Sequence, residues 1–328
     1  MSASAFLGAR VLVTGGLGFL GSNLAHRLLE LGSRVTLIDC LHPGQGGLRH
    51  NIVGLEGCLA VEVGDLRDAA LLERLLPGQE IIFNLAGQTS HLDSMHDPQL
   101  DLELNCSAQL SLLDAWRRLA PQALTVFAST RQIYGRPDYL PVDEAHPLRP
   151  VDINGVHKLA GESYHRLYGE VYGLKTSILR LTNTYGPRMR VKDARQTFLG
   201  VWISSALMGR PFEVWGGDQL RDFAYVDDVV EALLLAASRP AAAGGVFNLS
   251  GAPPAASLLD TAKLLARLTG TGFEVKEFPA ERRRIDIGDY YADDSSFRRN
   301  TGWAPRVDLE EGLGRTLAYF RKHLAEHL

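Results

Sequence analysis

The stretch Val11-Leu12-Val13-Thr14-Gly15-Gly16-Leu17-Gly18-Phe19-Leu20-Gly21 constrains the fold of this chain more than any other. An apolar, β-branched run enters a glycine-rich turn, and a helical pattern leaves it from about residue 19 to 31. The three spaced glycines have separate jobs. Gly15 permits the tight turn, Gly18 lets a pyrophosphate approach the backbone, and Gly21 lets helix and strand pack closely. The helix start, at Phe19 and Leu20, offers free N–H groups and a partial positive charge to phosphates. A second buried strand, residues 35–38, ends at Asp39, whose carboxylate suits the hydroxyls of an adenosine ribose and repels an extra phosphate there. Strand, glycines, helix, strand and acid in this order predict a dinucleotide site that takes NAD rather than NADP.

The alternation continues along the chain. Residues 60–63, 81–85, 125–128 and 178–181 read as short apolar strands with helical stretches between them, the last preceded by a helix at 154–172. Strands alternating with helices predict a parallel sheet covered on both faces. Asp65 and Leu66 follow the third strand, where a side chain can reach an adenine, and Leu85, Ala86 and Gly87 follow the fourth, where small residues let a cofactor pass. After Asn183 the texture becomes irregular and polar, then helical at 198–208. A helix at 226–237, capped by Asp227 and Asp228, and a strand at 246–249 return to the first region. Amphipathic helices at 257–268 and 309–323 complete the chain. Trp202, Trp215 and Trp303 read as core. The expected fold is therefore α/β: a Rossmann doubly wound parallel sheet from 1–182 plus about 224–250, with a smaller α/β substrate-binding lobe from about 183–223 plus 251–328.

Composition narrows the classes of partner. A net charge of −4 with scattered basic residues argues against a nucleic-acid-coating surface. Three cysteines, with no Cys-x-x-Cys spacing, support neither a zinc site nor a disulfide framework, so no metal is expected. No apolar run is long enough to span a bilayer and no leader pattern opens the chain, which makes the cytoplasm the expected location.

Several further motifs carry a resemblance. They are Ala128-Ser129-Thr130 leading to Ile133-Tyr134-Gly135, Lys158-Leu159-Ala160-Gly161-Glu162, the 180–187 run RLTNTYGP, Arg221-Asp222-Phe223-Ala224-Tyr225-Val226-Asp227-Asp228, and Gly302-Trp303-Ala304-Pro305. With the glycine turn and Asn84–Gly87 region they resemble the extended short-chain dehydrogenase/reductases, of the nucleotide-sugar epimerase, dehydratase and decarboxylase type. The resemblance covers nearly the whole chain. It implies transient oxidation of a sugar hydroxyl, with hydride passing to NAD and back, driven by a Ser or Thr, a Tyr and a Lys in Tyr-x-x-x-Lys spacing. Thr130 and Lys158 match, and Lys158 also faces the cofactor in that pattern.

The tyrosine does not match. Asn154 stands four residues before Lys158, and no lysine in the chain has a tyrosine at that spacing. An amide can orient a hydroxyl but cannot take its proton. Three substitutes are open: His157, one helical turn from Asn154; His91, in the loop after the fourth strand; and Lys158 itself or a water relay. Arg131 and Gln132 stand where the family's dehydratases carry Asp-Glu and its decarboxylases a Glu, so neither chemistry has its acid/base group. On the substrate side the resemblance assigns Asn183, Arg221 and Arg283 to the diphosphate of the sugar nucleotide, with Arg282 or Arg284 as alternatives to Arg283; Gln196, at a helix entrance, and Ser94, in the loop after the fourth strand, are expected by position alone to contact the substrate. It also implies a homodimer through helices 100–118 and 154–172. The reading is an NAD-dependent nucleotide-sugar epimerase acting at C4 of a UDP- or dTDP-hexose with an atypical base. The alternatives are a catalytically impaired NAD- and nucleotide-sugar-binding protein, and a dehydratase or decarboxylase.

Overall fold

The computed structural model describes residues 3–195 and 197–328. Six strands alternate with helices: β1 (Arg10–Thr14), β2 (Arg34–Asp39), β3 (Ala60–Val63), β4 (Ile81–Asn84), β5 (Leu124–Thr130) and β6 (Lys175–Leu181). They join one sheet in the order β3-β2-β1-β4-β5-β6, extended beyond β6 by the strand Val246–Asn248, and every pairing is parallel. The strand order reverses between β1 and β4, and in such sheets a ligand crevice opens at the carboxyl ends of the strands flanking that reversal.

Side-chain alternation in β1 explains the two covered faces. Val11 and Val13 join a cluster with Leu24 and Leu28 of helix α1 (Phe19–Glu30), while Leu12 joins Ile38, Ile82, Leu112, Leu113 and Trp116 on the other face. Thr14 then fastens the ends of β1 and β4. Its hydroxyl donates to Asn84 Oδ1 at 2.9 Å and accepts from the backbone N–H groups of Leu85 and Ala86 at 3.1 Å each.

Four expectations about local structure and burial need correction. The segment after β4 is not wholly loop: after α2 (Ala69–Leu75) comes α3 (His91–His96), whose cap Ser90 accepts from Asp93 N. The helix expected over 100–118 is broken into α4 (Pro98–Leu102), a π-helical turn Glu103–Ser107 and α5 (Ala108–Leu119). That turn packs against α6 (Ile153–Tyr172), and its Asn105 side chain bonds Gln88 O and Asp101. Asp227 and Asp228 do not cap the helix Val226–Ser238; they lie inside its first turn, and Asp228 accepts from the N–H groups of Arg306 and Val307 instead. Trp202 and Trp303 are buried as expected, but Trp215 is only half-buried and carries the Arg282 guanidinium 4.1 Å over its ring.

The helix α6 has both ends specified. Asp152 caps its start by accepting from Gly155 N at 2.6 Å, and Gly173 closes it at φ +67°. Along its inner face Glu162 meets Arg180 of β6, with Nη2 to Oε1 at 2.5 Å, and Ser129 Oγ donates to the second carboxylate oxygen at 2.7 Å. Arg180 also donates to the Tyr134 hydroxyl at 2.6 Å, which itself donates to Asn248. One buried polar network thus joins β5, α6, β6 and the strand Val246–Asn248. The smaller pieces, Asn183–Tyr185 with Phe223–Tyr225 and Phe212–Trp215 with Phe273–Lys276, form two-stranded parallel ladders outside the main sheet. No helix among the described residues is long and apolar enough to cross a membrane.

Candidate active site

At the crevice between β1 and β4 the glycines have measurable reasons. Gly15 sits at φ +65°, and a Cβ there would lie 3.1 Å from the Ala86 backbone. A Cβ on Gly21 would lie 2.3 Å from Gly15 O, so α1 reaches the turn only because that atom is missing. Phe19 is buried and Leu20 half-buried beside it. Asp39 accepts from Leu17 N at 3.1 Å and Leu41 N at 2.9 Å. Burial pushes its carboxyl upward despite those two bonds. The acid expected to face a ribose therefore also braces the glycine turn.

On the adenine side Leu66 is core, while Asp65 pairs with Arg67 at 2.8 Å, which holds its carboxyl below the usual range. An adenine contact by Asp65 would share that carboxylate. On the nicotinamide side, Leu85 and Ala86 are half-buried, and a Cβ on Gly87 would meet Lys158 Nζ at 2.9 Å and Asn105 Oδ1 at 2.5 Å. Glycine at 87 is what leaves room for the ammonium. This cradle of missing Cβ atoms, helix N–H groups, a bracing acid and an ammonium fits NAD.

Lys158 is buried, with Nζ 3.5 Å from Ala128 O and 5.4 Å from the Phe127 ring. Burial pulls its ammonium down to about 8, against the opposing pull of Asp101. The sign of the stability effect follows. The unfolded chain keeps the proton up to about 10.5, so the penalty is complete below pH 8 and fades as pH rises from about 8 to 10.5. Lys158→Met should raise the unfolding free energy of the cofactor-free protein by roughly 3 kcal/mol at pH 7. Urea titrations at pH 7 and pH 10 check this, since the gap between variant and parent should shrink at the higher pH.

The structure places the other candidates differently from one another. Thr130 ends β5 and accepts from Gln132 N at 3.3 Å. Asn154 is buried, and its side-chain N–H groups donate to Gln88 O at 2.9 Å and Asp101 Oδ2 at 3.1 Å, so the amide donor is committed within the protein rather than to a sugar hydroxyl. Asp101, which sequence reasoning missed, is fully buried at the centre of this knot. Its Oδ1 accepts from Asn105 at 3.1 Å and lies 2.7 Å from His157 Nδ1. His157 is thus locked between helices. Ser94, expected on the substrate side, is wholly buried, donates to His91 O at 2.8 Å and accepts from Asn154 N.

His91 is different. Its Nδ1 lies 2.9 Å from Asp152 Oδ2, a close contact off the line of an ideal hydrogen bond, and its side chain remains 38% exposed. Asp152 in turn accepts from Gln132 Nε2 at 2.7 Å and from Gly155 N. Burial raises the Asp152 carboxyl, but the His91 ring, that N–H and the Gln132 amide outweigh it and keep it below the usual range. Gln132 therefore links Thr130 to the Asp152–His91 pair.

On the far side Arg221 is buried and donates to Leu220 O and Gly288 O, with Asp286 at 3.3 Å. Arg283, Asp286 and Gly288 line an open cavity of about 800 Å³ with Arg136 and Asp218. Of the three consecutive arginines, Arg283 lines that cavity while Arg282 stacks on Trp215. Asn183 is half-buried in its short strand, and Gln196 lies outside the described residues. Outside the cleft, His50, His323 and Glu326 bring their ligand atoms within 4.8 Å of one another, a grouping the sequence spacing did not disclose.

Comparison with known proteins identifies relatives of the whole chain. Residues 11–250 match the model of the NAD dependent epimerase/dehydratase family. A UDP-glucose 4-epimerase from Mycolicibacterium smegmatis is 33% identical over 95% of this chain and 98% of its own length. UDP-glucuronic acid decarboxylase 1 from Xenopus tropicalis is 32% identical over 97% of this chain and 73% of its own. The crystal structure of a Thermus thermophilus UDP-glucose 4-epimerase in complex with NAD superimposes with a TM-score of 0.85 at 32% identity, covering 95% of this chain and 99% of that one. The chain belongs to the NAD-dependent epimerase/dehydratase family.

Proposed function

We propose that this protein is an NAD-dependent nucleotide-sugar 4-epimerase in which His91, backed by Asp152, replaces the missing tyrosine as base. The observation that carries the reading is the half-exposed His91 ring against a buried carboxylate that Gln132 ties to Thr130. When bound, NAD supplies the hydride acceptor, and the glycine turn, Asp39 and Lys158 hold it. Leu66, Leu85, Ala86 and Gly87 wall its path. Thr130 orients the reacting hydroxyl, His91 takes its proton, and Asp152 stabilises the imidazolium that forms. The Lys158 ammonium keeps positive charge beside the reacting centre. Arg221 and Arg283, with Asn183, hold the diphosphate. The names of the M. smegmatis and T. thermophilus relatives support C4 as the reacting carbon. Arg131 and Gln132 supply no acid for dehydration or decarboxylation.

The second reading, a binding protein without turnover, draws on the committed amide of Asn154. The two are separated by incubating the purified protein and NAD with UDP-, dTDP-, GDP- and CDP-hexoses and resolving epimers by chromatography. Epimer formation supports the first reading, and tight binding without product supports the second. A 6-deoxy-keto or pentose product would overturn both.

The same proposal assigns the cofactor domain to 1–182 plus about 224–250, the sugar-nucleotide lobe to the remainder, and a homodimer to the faces of 100–118 and 154–172. Leu110, Val156, Leu167 and Val171 leave apolar side chains exposed on those helices, which favours a covered face. Leu167→Glu should shift the protein from dimer to monomer in sedimentation velocity. A parent that already sediments as a monomer contradicts the assignment.

A further inference from the structure

Away from the cleft, two elements far apart in the chain bring three metal-ligating side chains together. His50 lies in the short turn Arg49–Ile52. His323 and Glu326 lie three residues apart on the helix Leu309–His327, a spacing that puts both on one helical face. His50 Nε2 and His323 Nδ1 face each other at 3.3 Å. One ligand atom from each ring and one from the Glu326 carboxylate all lie within 4.8 Å of one another. Both rings are half-buried and Glu326 is exposed, so the imidazoles are held while the carboxylate is free to swing. His327 sets its ring edge-on to His50 at 5.6 Å, and its Nε2 is engaged with the Tyr319 hydroxyl at 3.0 Å, so it walls the group rather than joining it.

We propose that His50, His323 and Glu326 form a binding site for a divalent transition-metal ion of the zinc class, which clamps the turn Arg49–Ile52 to the helix Leu309–His327. Distance carries the assignment. Zinc held tetrahedrally by imidazole nitrogens at about 2.0–2.1 Å sets those nitrogens about 3.3–3.4 Å apart. The two facing ring nitrogens already stand at that separation. Both offer lone pairs to an ion when their protons reside on the far nitrogens, Nδ1 of His50 and Nε2 of His323. Two imidazoles with one carboxylate suit zinc, cobalt or nickel better than calcium or magnesium, which take oxygen ligands. Rotation of the Glu326 side chain brings in the third ligand, and water completes the shell. The site takes no part in the reaction assigned above; its consequence is mechanical. Asn51, next to His50, donates its side-chain N–H to Leu17 O at 2.8 Å, and Leu48 N donates to the same oxygen at 3.0 Å. An ion at His50 thus ties the helix Leu309–His327 to the segment that braces the glycine turn.

The test is calorimetric titration of the chelator-treated full chain with zinc chloride at neutral pH, with cobalt as a spectroscopic probe. The parent should saturate with a single zinc ion per chain, and its thermal midpoint should rise by about 4 °C with free zinc roughly 100-fold above the Kd. Cobalt should give the visible absorption of a four- or five-coordinate ion. His50→Gln, His323→Gln and Glu326→Gln should each weaken zinc binding at least about tenfold and remove the cobalt bands. His96→Gln, at an exposed histidine elsewhere, should change neither. Glu326 is exposed, so Glu326→Gln keeps its fold and tests the site even if a histidine variant does not. Unchanged affinity in any of the three ligand variants overturns the site as assigned. So does a loss shared equally by His96→Gln, because zinc would then sit on scattered surface histidines. A parent with no zinc saturation and no cobalt band also overturns it, and leaves the two rings as a packing contact.

Discussion

His91→Ala lowers epimer formation by roughly 10²- to 10⁴-fold, the usual worth of a general base. The protein should keep its fold and its NAD, because the ring is 38% exposed and touches the structure chiefly through Asp152. Asp152→Asn should fall in the same direction but less steeply in rate. It should also cost some stability, since Asp152 caps α6 as well as facing His91. His157→Ala should leave the rate nearly unchanged, because that ring is held by Asp101. Asn154→Tyr should not raise turnover, because Gln88 O and Asp101 already face that side chain. Initial rates with saturating substrate check all four. A rate lost on His157→Ala but kept on His91→Ala would move the base to the other histidine.

Glu162→Gln destabilises the protein by about 3–5 kcal/mol, the typical cost of removing one member of a buried ion pair. The side chains of Arg180 and Glu162 are only 3% and 1% exposed, so the remaining guanidinium would have little water to turn to. Burial alone would lower the Arg180 guanidinium, and the Glu162 carboxylate reverses that and holds it above its usual value. Replacing both residues together, as Glu162→Leu with Arg180→Met, should cost far less than either single change, because no charge is stranded. Urea unfolding of the three variants, compared as a double-mutant cycle, reads the coupling directly. A Glu162→Gln cost under about 1 kcal/mol would mean that the pair is hydrated, against the burial seen here.

The main sheet was legible because its strands are short β-branched runs between punctuating turns, and the glycine pattern of residues 15–21 has few other physical uses. The candidate site was legible only where a residue acts through its own backbone position. Gly15, Gly21, Gly87 and Asp39 are of this kind. Residues whose meaning depends on a distant partner were not. Asp101, flanked by Leu100 and Leu102, gives no local sign of burial, because Asn154 and His157, more than fifty residues later, enclose it. Ser94, named for the substrate by its position after the fourth strand, is held by bonds within α3 and to α6 that its own sequence neighbourhood does not announce. Arg131 stood out only as a departure from a family pattern, and its place over the Tyr290 ring emerged from packing. The break in the 100–118 helix has the same origin, since a π turn is set by what the neighbouring helix requires.

Transfer of hydride out of and back into the same sugar carbon is the centre of this account. The direct measurement is proton and deuterium NMR of the purified protein with NAD and a nucleotide sugar labelled with deuterium at C4, in ordinary water. The account predicts an inverted C4 that keeps its deuterium, because hydride leaves and returns without meeting solvent. An inverted C4 that carries solvent hydrogen, or a labelled sugar recovered unchanged across the nucleotide panel, would contradict it.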